Sequence, residues 1–249
     1  MNIVEIFKEG ADLSGKNLVI FIPMTAVMLI LFILSMLLFK FGIFPVGFMG
    51  GFVGRGMYSA GIMPSPFGFF SAWFAIIMVV SIILGFFAYG ATLGMAKEVI
   101  ENGSSTLSAG INIVINRFAP LLAGAILVAV IEAAGLVLLV IPGLIAAFFL
   151  MFAPAAIIVD GMDAVSAVKK SFETVKLYLN DSLVFFVAVI LVSAVFMVAR
   201  MIIGFIPFLG QLIGFILMGV LWGYIAVVTV KVYEVFNSKS AAGNNDTAV

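Results

Sequence analysis

Residues 18–39, LVIFIPMTAVMLILFILSMLLF, hold no charged side chain and lie between Lys16 and Lys40. In helical form this stretch rises about 33 Å, enough to cross a hydrocarbon core of about 30 Å. Five further apolar runs follow: Phe70 to Ala96, Ala119 to Ile141, Leu144 to Val159, Ser182 to Phe205 and Gln211 to Val230. The third is interrupted only by Glu132 and the fifth only by Arg200. The fourth is short, about 24 Å as a helix, and contains Pro154. Ile141-Pro142-Gly143 and Ile206-Pro207-Phe208-Leu209-Gly210 are turn signals, because proline ends a helix and glycine permits the reversal. Six spanning helices are the simplest count.

Composition agrees. Of 249 residues, 65% are hydrophobic and 10% charged, against about 25% charged in a soluble domain, which excludes a water-exposed globule. The chain has no histidine and no cysteine. Zinc sites built on those residues, Cys nucleophiles, Ser-His-Asp triads, haem ligation and Fe–S clusters therefore lose their ligands or bases. Disulfides are impossible. Net charge is zero, so nothing points to nucleic acid. No cofactor is implied.

Sorting the charges by position orients the chain. With six spans, one side carries Lys8, Lys16, Lys97, Arg117, Lys169, Lys170, Lys176, Lys231 and Lys239, nine basic residues. The other carries Lys40, Arg55 and, near the boundary, Arg200. The excess predicts both termini in the cytoplasm of a cell-membrane protein. Glu5, Lys8, Glu9, Asp12 and Lys16 at the N-terminus are unlike a cleavable signal peptide. The tail, 238–249, reads as polar and disordered.

The segments on the basic side align without gaps. Phe7, Ala11, Ser14 and Leu18 correspond to Leu107, Ile111, Val114 and Phe118, and to Val168, Phe172, Val175 and Leu179. Each set follows i, i+4, i+7, i+11, one face of a helix. Gly10, Gly110 and Ser171 occupy the small i+3 position. Glu5, Glu9 and Asp12, or Lys169, Glu173 and Lys176, fill much of the opposite face. Gly103-Ser104-Ser105-Thr106 and Asp163 supply helix starts for the second and third. The chain thus reads as one membrane domain, 1–237, of three units (about 1–102, 103–162 and 163–237). Each unit is an amphipathic helix followed by a spanning hairpin. Two placements suit these helices: in the interface with apolar faces toward the acyl chains, or packed on one another as a layer.

Leu150-Met151-Phe152-Ala153-Pro154-Ala155-Ala156-Ile157-Ile158-Val159-Asp160-Gly161, followed by Ala167-Val168-Lys169-Lys170-Ser171-Phe172-Glu173-Thr174-Val175, resembles the membrane domain found with some glycerophosphoryl diester phosphodiesterases. It is also similar to related bacterial and archaeal multi-pass proteins. The resemblance covers about 40 residues closely and the rest in layout. It implies a helical membrane domain and carries no activity, since catalysis in that family belongs to a separate soluble domain that uses histidines.

Glu132 and Arg200 are the ionisable side chains deep in the spans. Each costs about 2.5–3.5 kcal/mol at a helix centre on insertion scales. Their distances from the two outer turns differ by about 4–5 Å, so they are candidates for a polar pair, structural or lining a transport pathway, with Arg200 also able to snorkel outward. Pro154 is a candidate helix kink. Gly90-xxx-Gly94, Gly210-xxx-Gly214 and Gly219-xxx-Gly223 suit close helix packing within the bundle or between copies. The 41–69 connection, rich in Phe, Met and Gly, is too apolar to be fully solvated. Its glycines follow no strand, which disfavours a phosphate-cradling loop. The 14 methionines suit adaptive packing.

The expectation is an all-α polytopic membrane protein that is not an enzyme. It would interact with membrane lipids, or act as a scaffold or accessory subunit for a protein partner or a second copy. The alternative is a small transporter or channel for a lipid-like or small solute using Glu132 and Arg200. An intramembrane enzyme is the weakest reading, since Glu132 has no paired nucleophile.

Overall fold

Each apolar run becomes helix, because a chain in hydrocarbon must satisfy its backbone polar groups within itself. The computed structural model describes residues 2–40, 67–138, 140–206 and 208–246. Most of the 41–69 connection lies outside the described residues. Helix α1 (Ile3–Lys16) leads through a 3₁₀ turn (Leu18–Phe21) into α2 (Ile22–Lys40). Then come α3 (Phe67–Asn102), α4 (Leu107–Asn116), α5 (Phe118–Leu138), α6 (Val140–Leu150) and α7 (Ala153–Val159). The last three are α8 (Ala164–Leu177), α9 (Leu179–Ile203) and α10 (Leu209–Asp246). No strand occurs among the described residues.

Among the described residues, six stretches are long and apolar enough to cross a membrane: Leu18–Met36, Val79–Asn102, Phe118–Gly135, Val140–Val159, Leu179–Ile203 and Leu209–Ser240. The architecture is therefore all-α and compatible with a multi-pass membrane protein. The fourth stretch is two helices, α6 and α7, separated at Met151–Phe152. Pro154 stands in the first turn of α7, where its missing N–H costs nothing, so the proline starts a new helix rather than bending a continuous one. Helix α10 runs on to Asp246, beyond Ser238 where a disordered tail was expected. No proline stops it, Lys and Ala are good helix formers, and Lys239 pairs with Asp181 at 3.5 Å.

The core lies at one end, where the amphipathic helices sit; it is called the basic end below. Its buried residues run from Ala91 to Val99 on α3, from Phe152, just before α7, to Ile158 on it, and from Ala226 to Phe236 on α10. Helices α3, α7 and α10 all touch one another there. Phe152, fully buried, packs its ring 5.8 Å from Phe185, 6.0 Å from Tyr233 and 5.7 Å from Phe236. Away from this end the spans expose their apolar side chains, such as Val79, Val140, Ile141, Val195 and Phe205.

Small residues set the approach of the helices, as expected where lipid and side chain are equally apolar. A Cβ on Gly219 would stand 2.6 Å from the Thr25 backbone, so α10 and α2 meet there main chain to main chain. Gly90 and Gly94 face Leu121, Val114 and Ile113, Gly223 faces Phe21, and Gly214 faces Arg200. Gly210 sits against Ile203 in the outer turn. All these glycines serve contacts within the chain.

Candidate functional site

The basic end is held by a polar latch around the loop between α7 and α8. The last carbonyls of a helix lack partners within it; one cation from elsewhere meets the last carbonyl of α7 and a second meets the loop just beyond it. Lys97 Nζ donates to the Val159 carbonyl at 2.9 Å, and Arg117 Nη1 donates to the Gly161 carbonyl at 2.8 Å. Asp160 accepts from the Tyr233 hydroxyl and, at 3.3 Å, from Asn237 Nδ2. Gly161 is required twice over. Its φ is +69°, which side chains disfavour, and a Cβ there would stand 2.3 Å from the Arg117 guanidinium.

The chain then enters α8 through Asp163, whose carboxylate accepts from the amides of Val165 at 3.0 Å and Ser166 at 3.1 Å. Hydrogen bonding from Ser166, side chain and backbone, holds the Asp163 carboxyl below its ordinary range. Thr106 caps α4 in the same way, accepting from Ala109 N at 3.2 Å after Gly103 at φ +79°.

Ser171 repairs the α6–α7 break. Its Oγ accepts from the Phe152 amide at 3.1 Å and donates to the Phe149 carbonyl at 2.8 Å. The three small positions of the alignment, Gly10, Gly110 and Ser171, are all buried, and so are Ser14, Val114 and Val175 one turn later. Each amphipathic helix lies on a different spanning segment: α1 on α10, α4 on α3, and α8 on α5, α6 and α7. The α1 seam carries the Tyr224 hydroxyl donating to Phe7 O at 2.8 Å and a Lys231–Glu9 ion pair.

The predicted lipid-facing residues are divided by this packing. Val114 and Val175 are fully buried, while Ala11, Phe118, Phe172 and Leu179 are exposed. Phe7, Leu107, Ile111 and Val168 are half-buried. Helices α8, α5 and α6 enclose an open groove of about 510 Å³, which Val168 and Phe172 line together with Ile131, Ala146, Phe149 and Lys169. A much smaller apolar cavity, about 20 Å³, lies beside Pro154, between α7 and α5.

Glu132 and Arg200 form no ion pair with each other. Glu132 is half-buried on α5, which packs on α6, α7 and α8. Arg200 lies on α9, which packs chiefly on α10, and its guanidinium sits 5.2 Å from the Phe215 ring. Similar depth was legible in sequence; the separation of the two helices was not.

The pattern of a family described as a domain of unknown function (DUF7847) matches residues 104–238, more than half of the chain. The chain belongs to the DUF7847 family. No curated protein and no solved structure matches it. The DUF7847 stretch takes in α4 through α9, α10 as far as Ser238, and every latch residue except Lys97. Lys97, Arg117, Tyr233 and Asn237 are not recognisable as a group in sequence, because a side chain that meets a distant partner leaves no spacing signal.

Proposed function

We propose that this DUF7847 protein is a non-enzymatic integral membrane protein that binds lipid and acts as a membrane scaffold or accessory subunit. The observation that carries this reading is the groove under α8, largely apolar, with Lys169 as the one cationic residue among its described lining. An acyl chain suits such a lining, and a lysine beside it suits an anionic headgroup. The exposed apolar side chains of the spans away from the basic end give the surrounding bilayer a contact surface. The basic excess on their side supports a cytoplasmic location for both termini. Three-unit construction is supported by the shared burial of the aligned positions and by the way α1, α4 and α8 each lie on a different span. The likeness to the phosphodiesterase-associated membrane domain suits the same reading and adds no activity. A transport pathway through Glu132 and Arg200 draws less support, because other residues line both the groove and the small cavity.

The test is lipid retention by the purified full chain, counted by native mass spectrometry after reconstitution in mixed phosphatidylglycerol and phosphatidylcholine. Ala146→Trp, which fills the groove, should remove one tightly held lipid. Lys169→Glu should abolish any preference for phosphatidylglycerol in that lipid. Unchanged lipid counts and headgroup ratios in both variants would refute the proposal.

A further inference from the structure

Glu132 and Arg200 have opposite charges, lie in spans, and leave each other unpaired. Glu132 makes no hydrogen bond or ion pair among the described residues. Arg200 lays its stem along Gly214 and its guanidinium over the apolar Phe215 ring, and its N–H donors meet no acceptor among the described residues. A carboxylate and a guanidinium in hydrocarbon each need a partner. The helices that carry them, α5 and α9, are also the least buried of the spans among the described residues. Glu132 stands six residues before the end of α5 and Arg200 three before the end of α9. Both ends lie at outer turns, so the two groups differ in depth by about 4.5 Å, within the reach of an arginine side chain.

We propose that the chain self-associates within the membrane, Glu132 of one copy pairing with Arg200 of another. Each copy offers at that depth the charge its neighbour lacks, and lipid tails offer neither. The pairing joins two different faces, so a two-fold dimer would contain two such bridges and a head-to-tail ring one at each contact. Lipid in the α8 groove is a separate matter, and the self-association stands without it.

The chain has no cysteine, which makes cross-linking clean. Full-length Glu132→Cys and Arg200→Cys copies, differently tagged, are reconstituted together and treated with a short bis-maleimide. Cross-linked product carrying both tags is expected, well above that from Glu132→Cys with Val184→Cys, which sits near the other end of α9. In the cysteine-free background, Glu132→Arg should weaken association roughly tenfold or more. Adding Arg200→Glu to the same chain should restore it. Equal yields for the Arg200 and Val184 positions, or a monomeric wild-type chain in bilayers, would overturn the pairing. So would a charge swap that stays dissociated while remaining folded. Ala146→Trp separates the two proposals, since it should empty the lipid groove and leave the cross-link intact.

Discussion

Ser171 and Ser14 occupy nearby positions on α8 and α1, both buried, and they have opposite energetics. Ser171 satisfies two backbone groups exposed by the α6–α7 break, whereas the Ser14 hydroxyl has no hydrogen-bond partner among the described residues. Removing a hydrogen-bonded side chain leaves buried partners unsatisfied at about 1–3 kcal/mol, while removing an orphaned hydroxyl relieves a burial cost. Ser171→Ala should therefore destabilise the fold by about 1–3 kcal/mol, and Ser14→Ala should stabilise it by about 1 kcal/mol. Thermal unfolding in one detergent, followed by tryptophan fluorescence, compares them directly. Two shifts of the same sign would contradict these assignments. The residues aligned with Ser14, Val114 and Val175, are apolar and fully buried, which is the pattern Ser14→Ala approaches.

At the scale of elements, α8 depends on its first turn. The Asp163 carboxyl is held below its ordinary range, so in the folded chain it stays ionised at pH values where the unfolded chain has begun to protonate. Its contribution is complete above the unfolded value, about 3.9, and is lost as pH falls through the folded value. Asp163→Asn keeps a capping oxygen and removes the titration. Wild type and variant should thus respond differently to acidification below about pH 4, wild type losing more of its melting temperature; parallel profiles would exclude a titrating cap. This cap was legible in sequence, as were the apolar runs, because absence of charge and the spacing of polar starts are local properties. The break at Met151–Phe152 was legible to within three residues from Pro154. The latch was not: Lys97 and Val159 are 62 positions apart and Arg117 and Gly161 are 44 apart, and only packing brings them together. Similarly, helical rise fixed the depths of Glu132 and Arg200 but carried no information about which helices are neighbours.

For the whole molecule, two charge rules disagree about orientation. The end bearing the amphipathic helices carries nine of the twelve basic residues, and eleven of the twelve acids lie there as well. A net-charge rule would send that end outward, whereas insertion responds to lysine and arginine and little to acids. The packing adds a constraint. Because α1 is seamed to α10 through Gly10 and Tyr224, the N-terminal helix and the last span share one end, and α4 and α8 join them through α3 and α7. All three amphipathic helices must therefore lie on the same side, and a single inverted unit would break the buried core. Single cysteines placed at Ser104, Ser238 and Gln211 of the cysteine-free chain can decide this with a membrane-impermeant maleimide. Gln211→Cys, beside the outer turn, should react in intact cells, and Ser104→Cys and Ser238→Cys only after lysis. The reverse pattern would mean that the acids control insertion. Labelling of Ser104→Cys and Ser238→Cys from opposite sides would rule out the six-span arrangement itself.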